Sequence, residues 1–442
     1  MTKRKVWVVL LLLLFPGASG VVSLRSQEKG VNLGVQIPAI PPVRLPDGIS
    51  LDVPLSEEDA VAVALWNNAA FQADLAALGL AKVDLLEAGL LRNPTLQMLL
   101  PFGYSQFEML LNLPGEVFWQ RPKRVAAAKI EVERVATGLE QNGLDLARNV
   151  REVFADLQLA KARMRLGEDA VRLRREILEL TEVRLRAGDI GEMEANAART
   201  ELSMAEEQAA RFAREHVLVH GRLRFLLGLE VERRTFDIAP PGGSGTPDEA
   251  ASYSQAADVE ALQETAFANR PDLGAAALAI EAAAGRAKWE RSKLFAFAGL
   301  LSIKQGAGLD FSPRGGFLIE LPVFQRNQGG ISRADLEVER AGLQYLVVHQ
   351  RISQEVREAY GQFQQARTSL QFYRSSILPQ AEERMRLAEK SHQSGEESYL
   401  FVLDATRRMT DARLREAELV SDLRRASARL DRSIGRRLHA NK

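Results

Sequence analysis

The side chains that carry out chemistry in most enzymes are scarce in this sequence. It has no cysteines and only five histidines in 442 residues, which removes disulfide frameworks, thiolate metal sites and cysteine nucleophiles. His216 and His220 lie four apart on a predicted helix, a spacing that suits a metal pair, but neighbouring Glu215 points to another face. Residues 242–245 lack the lysine and following helix of a phosphate-binding loop. We therefore expect no enzyme, no cofactor and no metal site.

The charge balance excludes a further class of protein. The chain has 58 basic and 58 acidic residues, so its formal net charge is zero. A protein dedicated to nucleic acid normally shows a basic excess, so no nucleic-acid partner is expected. Hydrophobic residues make up 46% and charged residues 26%, which is ordinary for a folded chain.

The first residues indicate export. Lys3, Arg4 and Lys5 precede an apolar run over residues 6–15, and small residues follow at 17–20. This order is that of a secretory signal peptide, which we assign to residues 1–23. No later segment has 18 consecutive apolar residues. A mature protein inserted in a membrane would therefore have to use a β-barrel.

Proline and glycine divide the remaining chain. Residues 24–54 contain five prolines and no helical periodicity, which predicts an extended N-terminal arm. Helical periodicity begins at Leu55 and ends near Leu91, with Ser56 as N-cap and Asp59 in the capping-box position. A linker is predicted at residues 231–254, and a C-terminal tail at 437–442.

The second half of the chain repeats the first. Asn67 corresponds to Asn269, 202 residues later, and Gly188 corresponds to Gly395, 207 residues later. Several further matches occur in the same order and at nearly the same offset, including Val150 with Val356. We predict two repeats, residues 55–230 and 255–436. Each contains a helix, two short strands, a very long helix, a tight turn and a last helix.

The helix lengths predict a rod. Residues 122–187 would form a helix of about 100 Å, and residues 56–91 and 192–228 would form helices of about 55 Å each. Two shorter helices stacked end to end would match the long one. In the second repeat, Pro379 is expected to kink the long helix.

The short strands alternate between apolar and mixed positions. Apolar side chains recur at every second residue in 107–113, 295–303 and 317–321, while 95–102 fits less cleanly. One apolar and one polar face suits a barrel wall with lipid outside and water inside. The alternative is a small surface sheet packed on helices. Since four strands cannot close a barrel, closure requires several subunits, and three would supply twelve strands.

These features resemble the TolC-type outer-membrane efflux family over residues 55–436. The best local match is Val402-Leu-Asp404-Ala-Thr406, and residues 321–329 and 92–95 look most like the branch that exports heavy metals such as cobalt, zinc, cadmium, copper or silver. The resemblance implies a mainly α-helical homotrimer, with a twelve-stranded barrel in outer-membrane lipid above an α-helical barrel in the periplasm. It also implies a periplasmic adaptor and an inner-membrane pump as partners.

The same resemblance supplies pore candidates. Asp404 matches an acidic position that faces the lumen, and three copies around an axis would favour cations. Phe401 stands where the family has a second acid, Glu194 falls at another acidic gate position, and Glu397 replaces a basic residue. The alternative is that these acids are solvated helix faces.

The two helix–turn tips are the expected docking surface for the adaptor. They contain Arg186, Gly188 and Asp189 in the first repeat, and Ser394, Gly395 and Glu396 in the second. The sequence thus predicts an efflux exit channel. A soluble periplasmic coiled-coil scaffold or adaptor without a membrane barrel remains the alternative.

Overall fold

The structure, a computed structural model, describes residues 43–100, 107–115, 117–230, 235–240, 258–294, 297–305, 311–394 and 399–436. The first half contains α1 (Glu57–Asn67), α2 (Ala69–Gly89), β1 (Thr95–Leu99), β2 (Glu108–Pro114), α3 (Val117–Ala187) and α4 (Glu192–Leu226). The second half contains α5 (Val259–Asn269), α6 (Pro271–Ser292), β3 (Phe297–Gln305), β4 (Phe311–Ile319), α7 (Gln328–Phe372), a π-helix (Tyr373–Ile377), α8 (Leu378–Gln393) and α9 (Tyr399–Ser433).

Several predicted segments lie wholly or partly outside the described residues. The signal peptide at 1–23 and the tail at 437–442 do so entirely, and the arm is described only from residue 43. Of the predicted linker, residues 235–240 are described, and there Phe236 and Ile238 are buried in the core. Ile238 also bridges to Leu55. The domain boundaries stay predictions.

The predicted helix over residues 55–91 is two helices. Ser56 caps α1 in the expected capping box with Asp59. The chain then breaks at Asn68, whose backbone is extended and whose side chain accepts the Phe71 N–H at 3.1 Å. The Asn68 amide also donates to the carbonyl of Leu226 at 3.0 Å. The break was missed because a partner distant in sequence stabilises it.

The longest helix, α3, has 71 residues and begins five residues before its predicted start at Pro122. Pro122 has no backbone N–H, and the carbonyl that this N–H would have bonded lies in the first turn of the helix. The helix therefore loses only one hydrogen bond near its start, and proline is tolerated there. Two shorter helices, α2 and α4, pack along α3 one after the other, as the length argument predicted.

The four strands form one antiparallel sheet in the order β1-β2-β3-β4. Helices α2, α3, α6 and α7 contact one another in the same order. The sheet and the helices below it therefore form one continuous layer. Its open edges are β1 with α2 on one side, and β4 with α7 on the other.

The register gives the sheet two different faces. Cross-strand partners on one face are apolar, for example Leu111 opposite Leu301 and Leu113 opposite Gly299. The other face is mixed: Glu108 lies opposite Lys304, but Asn112 lies opposite Leu300. This alternation confirms the sequence prediction for β2 and β3. Strand β4 begins at residue 311 rather than near 317, because a proline and two glycines interrupt its pattern.

The hydrophobic core is duplicated along with the sequence. One cluster surrounds Phe154 and contains Val150, and the second surrounds Phe363 and contains Val356. Val150 and Val356, which were matched from the sequence, are both fully buried. Within the described residues, no helix is both long and apolar enough to cross a bilayer.

Candidate pore and docking site

Asp404 lies near the start of α9 and is held by two arginines. Its Oδ2 accepts from Arg408 Nε at 2.8 Å, one helical turn later, and from Arg384 Nη2 at 3.0 Å on α8. The carboxylate side chain keeps 43% of its surface exposed. The predicted pore acid is therefore accessible, but it is also the centre of an ion-pair triad.

The triad changes the local charge at this position. The hydrogen bond from Arg408, with the charges of Arg408 and Arg384, lowers the pKa of Asp404 below its ordinary value. The carboxylate is thus ionised at neutral pH, and the three side chains together carry a net positive charge. A ring built from three such triads would not be purely acidic.

Phe401 lies one turn before Asp404, and 37% of its surface is exposed. The Arg384 guanidinium carbon is 5.8 Å from the ring centroid, a cation–π distance. Leu387 and Pro379 line the same groove between α8 and α9. The aromatic ring and the carboxylate therefore share one arginine, which fixes α9 against α8.

The helix that carries Arg384 follows a π-helix. Residues 373–377 form this π-helix directly before α8, and the Tyr373 hydroxyl donates to the carbonyl of Ala412 at 3.2 Å. A kink was expected at Pro379; the structure places the irregular turns just before it, where a proline leaves a carbonyl unpaired.

Of the other two acidic candidates, Glu194 and Glu397, the structure describes only Glu194. Glu194 is half-buried in the first turn of α4, beside Glu192, where acids complement the helix dipole. Its side chain makes no ion pair with the residues that the structure describes. Glu397 lies outside the described residues.

The first tip is a glycine-terminated reversal. Gly188 has φ +79°, its N–H donates to Leu185 O at 3.1 Å, and the Asp189 N–H donates to Arg184 O at 3.0 Å. These two bonds form a Schellman motif, which satisfies the last carbonyls of α3. Arg186 and Asp189 are exposed beside the turn. Both are therefore available to a partner.

The second tip is described only up to Ser394. Its side chain is exposed, and its Oγ donates to the Ser391 carbonyl at 3.0 Å. Gly395 and Glu396 lie outside the described residues. The roles assigned to the candidates at both tips stay predictions.

Of the two histidines four residues apart, His220 packs against the segment that was predicted as a linker. The His220 ring stacks on Phe236 at 4.5 Å, and its Nε2 lies 3.2 Å from the carbonyl of Phe236. Burial lowers the pKa of His216, and the adjacent His220 and Lys161 add to this effect. Among the residues described, no group of three His, Asp or Glu is placed to hold a metal ion.

Comparison with known proteins decides the family. The profile of the outer membrane efflux protein family matches residues 86–229 and 262–436. The chain belongs to this family. It is 25% identical over 391 residues to the cobalt-zinc-cadmium resistance protein CzcC of Cupriavidus metallidurans, covering 87% of this chain and 90% of CzcC.

Solved structures give the same fold. CusC superposes with a TM-score of 0.71 at 19% identity, over 87% of this chain and 92% of CusC. VceC from Vibrio cholerae superposes with a TM-score of 0.67 at 17% identity, over 86% and 96%. As a member of the outer membrane efflux protein family, this chain is an efflux exit channel of the outer membrane. The soluble scaffold or adaptor alternative is not favoured.

Two arginines of the site were missed from the sequence. Arg408 was accessible to sequence reasoning, because its position four residues after Asp404 on a helix predicts an ion pair. Arg384 was not, since it precedes Asp404 by 20 residues across a turn whose geometry the sequence does not specify.

Proposed function

We propose that three copies of this efflux protein assemble into one duct for metal cations, passive and without catalysis, that receives its cargo from an adaptor and a pump. The observation that carries the proposal is the open edges of the layer. Within the described chain, β1 and β4 each pair with a strand on one side only. Unpaired strand edges favour strand addition, and three copies joined β1 to β4 give a closed twelve-stranded sheet.

The helices below these edges support the same closure. On α2, Leu80, Val83 and Leu86 are between 58% and 70% exposed. On α7, Leu343 and Leu346 are 59% and 55% exposed. Rows of exposed aliphatic side chains are typical of surfaces that a partner covers. Joining the two edges buries both rows.

Cross-linking tests this assembly in a chain without native cysteines. Three contacts relate neighbouring helices of the layer: Asn142 bonds to Asp74, Ala127 faces Gly285, and Arg270 pairs with Glu355. Following these contacts from α2 to α7 places Val83 and Leu343 at a similar distance from the sheet. We expect the double variant V83C/L343C to give covalent dimers and trimers on oxidation, and either single variant to give no trimer.

A matched control pairs Val83 with a position far down α7. The double variant V83C/F372C adds the same number of thiols, and Phe372 is also exposed. It should stay monomeric on denaturing gels. Trimers from this control, or none from V83C/L343C, would contradict closure through α2 and α7.

The cargo proposal rests on the likeness to CzcC, whose name refers to cobalt, zinc and cadmium resistance. Asp404 is the residue proposed to act on such cations in the lumen. Single-channel recordings in planar bilayers measure its effect through the reversal potential in a salt gradient. We expect D404N to lower cation selectivity, because it leaves Arg384 and Arg408 uncompensated.

The opposite change sharpens the same test. Removing one guanidinium in R384Q leaves a single arginine beside Asp404, so cation selectivity should rise. Unchanged selectivity in both variants would show that the triad does not line the conduction path. Channel openings in the same recordings would show that the duct itself is intact.

A further inference from the structure

The segments where the helices meet the sheet are strongly basic, although the whole chain is neutral. We call the described residues of these segments the collar; they are residues 86–94, 115, 117–126, 286–294 and 320–333. The collar contains ten basic residues and three acidic ones, and the acidic residue Glu116 lies outside the described residues. The basic residues are Arg92, Arg121, Lys123, Arg124, Arg286, Lys288, Arg291, Lys293, Arg326 and Arg333. Three of these basic residues, Arg286, Arg291 and Lys293, pair with Glu131, Asp335 and Glu290. The local excess that remains favours an anionic partner.

Phe297 shows which side of the molecule part of the collar faces. Register places this residue at the end of the apolar face of the sheet, opposite Ile319. The Trp119 ring stacks on Phe297 with centroids 5.1 Å apart, and its Nε1 donates to the carbonyl of Ser292 at 3.2 Å. Trp119 therefore continues the apolar face onto the first turn of α3. A tryptophan with its N–H bonded at such an edge is typical of a lipid–water interface.

Lys123 lies one helical turn below Trp119. Residues four apart share a helix face, so Lys123 lies on the same face of α3 as Trp119, which continues the apolar sheet face. Its side chain is exposed, and it forms no ion pair with any residue described by the structure. The apolar face, the indole and the ammonium group thus follow one another down the same side of the molecule.

The neighbouring arginines donate to backbone carbonyls rather than to carboxylates. Arg121 donates to the carbonyl of Gly89 at 2.7 Å, and Arg124 donates to the carbonyls of Ala88 and Leu90 at 2.9 and 2.8 Å. Carbonyl acceptors satisfy the guanidinium N–H groups without neutralising them. The first turn of α3 contains no acidic residue, and the N-terminal end of the helix dipole adds positive potential there.

We propose that the collar binds the anionic phosphate headgroups of phospholipids in the periplasmic leaflet, with Lys123 as the contact below Trp119. The proposal rests on the apolar face of the sheet being the one that meets lipid. Lipid, rather than a soluble anion, is the occupant, because Lys123 continues a surface that ends in apolar side chains and an interfacial tryptophan. A basic residue at this depth fixes how far the channel inserts.

Lipid titration of the purified channel tests the proposal. Binding of short-chain phosphatidylglycerol and of phosphatidylcholine with the same acyl chains is measured by native mass spectrometry of the detergent-solubilised protein. We expect the wild type to prefer the anionic lipid. K123Q should weaken phosphatidylglycerol binding about five-fold, which corresponds to about 1 kcal/mol for one basic residue near a membrane surface.

Matched variants separate the lysine from a general loss of charge. R413Q removes one exposed positive charge from α9, far from the sheet, and should leave lipid preference unchanged. K123R keeps the charge and should bind as the wild type does. Inorganic phosphate at equal concentration should not displace the lipid, since a soluble anion lacks the acyl chains that lie against the apolar face.

Three outcomes would overturn the proposal. They are equal binding of the two lipids by the wild type, full phosphatidylglycerol binding by K123Q, and displacement of the lipid by inorganic phosphate. Channel openings in neutral phosphatidylcholine bilayers are recorded for each variant in parallel. Openings that persist in K123Q while lipid preference is lost separate the collar from the duct itself.

Discussion

The two repeats have different residues at the same break between two consecutive helices, which we call the hinge. Asn68 interrupts the first helix pair of repeat one, and Arg270, 202 residues later, interrupts that of repeat two. Each donates a hydrogen bond to a carbonyl at the end of the last helix of its own repeat. Asn68 reaches Leu226 at 3.0 Å, and Arg270 reaches Ser433 at 3.3 Å. The two repeats thus share the backbone geometry, while the donor is a neutral amide in repeat one and a cation in repeat two.

Other charged side chains surround the charged donor, Arg270. The Arg270 side chain has no exposed surface and pairs with Asp272 at 2.6 Å and Glu355 at 2.5 Å. Arg351 and Arg432 join the same carboxylates. In repeat one, the position of Asp272 is Ala70 and no such cluster forms among the residues described. A buried charge is stable only when it is paired, which explains why carboxylates surround Arg270 but not Asn68.

The largest predicted effect is removal of the charged hinge. R270M leaves Asp272 and Glu355 without their buried partner and should lower the free energy of unfolding by about 3–5 kcal/mol. N68A removes a helix cap and one neutral hydrogen bond and should cost about 1–2 kcal/mol. Denaturant unfolding of both variants in detergent, followed by circular dichroism, measures the difference.

Partial rescue by a second variant is the control for R270M. The double variant R270M/D272N removes the nearest carboxylate charge and should recover part of the loss. Equal destabilisation by R270M and N68A would show that the charge at the hinge adds nothing to the shared geometry.

The next effect concerns the glycines that end the repeats. Gly228 and Gly435 both have φ +68° and occupy matching positions. A Cβ on Gly228 would lie 2.3 Å from the backbone oxygen of Asn67, whereas one on Gly435 would lie 3.1 Å from the nearest backbone atoms of Arg270. We expect G228A to cost roughly 2–4 kcal/mol and G435A about 1–2 kcal/mol.

The tip glycine provides the reference for these two. Gly188 has φ +79°, and a Cβ at this position would meet no atom within 4 Å, so G188A should show only the conformational cost, about 1 kcal/mol. Thermal unfolding of the three variants gives the order. A larger loss in G188A than in G228A would contradict the argument from the close approach at the hinge.

The smallest expected effect is a pH dependence of the free energy of unfolding, which only repeat two should show. Burial would raise the pKa of Asp272, but hydrogen bonds and charge from Arg270, with charges from Arg351 and Arg432, hold it below its ordinary value. A carboxyl with a lowered native pKa contributes stability above its unfolded pKa, and this is lost as the pH falls through the native pKa.

D272N should therefore be less stable than the wild type at neutral pH, and the difference should shrink below about pH 4. Unfolding free energies measured across this range test the sign. A70S, at the matching position of repeat one, should show the same pH dependence as the wild type. A difference between D272N and the wild type that grows in acid would contradict the prediction.

Much of the fold was predictable because it depends on local patterns. The duplication, the helix–turn tip at Gly188, the Ser56 capping box and the two faces of β2 and β3 all follow from residue types at fixed spacings. The start of β4 was missed where glycine and proline hide the alternation. Of the candidate site, the Asp404–Arg408 pair was accessible from helix spacing, but its roles in the pore stay predictions.

The sequence by itself determined which segments are helix or strand and which side of each is apolar, since these depend on neighbours within a few residues. Only the tertiary structure decided where the helices break and which charges meet. Asn68 and Arg270 end their helices by binding carbonyls about 160 residues away, and Arg384 reaches Asp404 across a turn. Such contacts depend on how whole helices align, and no local pattern specifies that alignment.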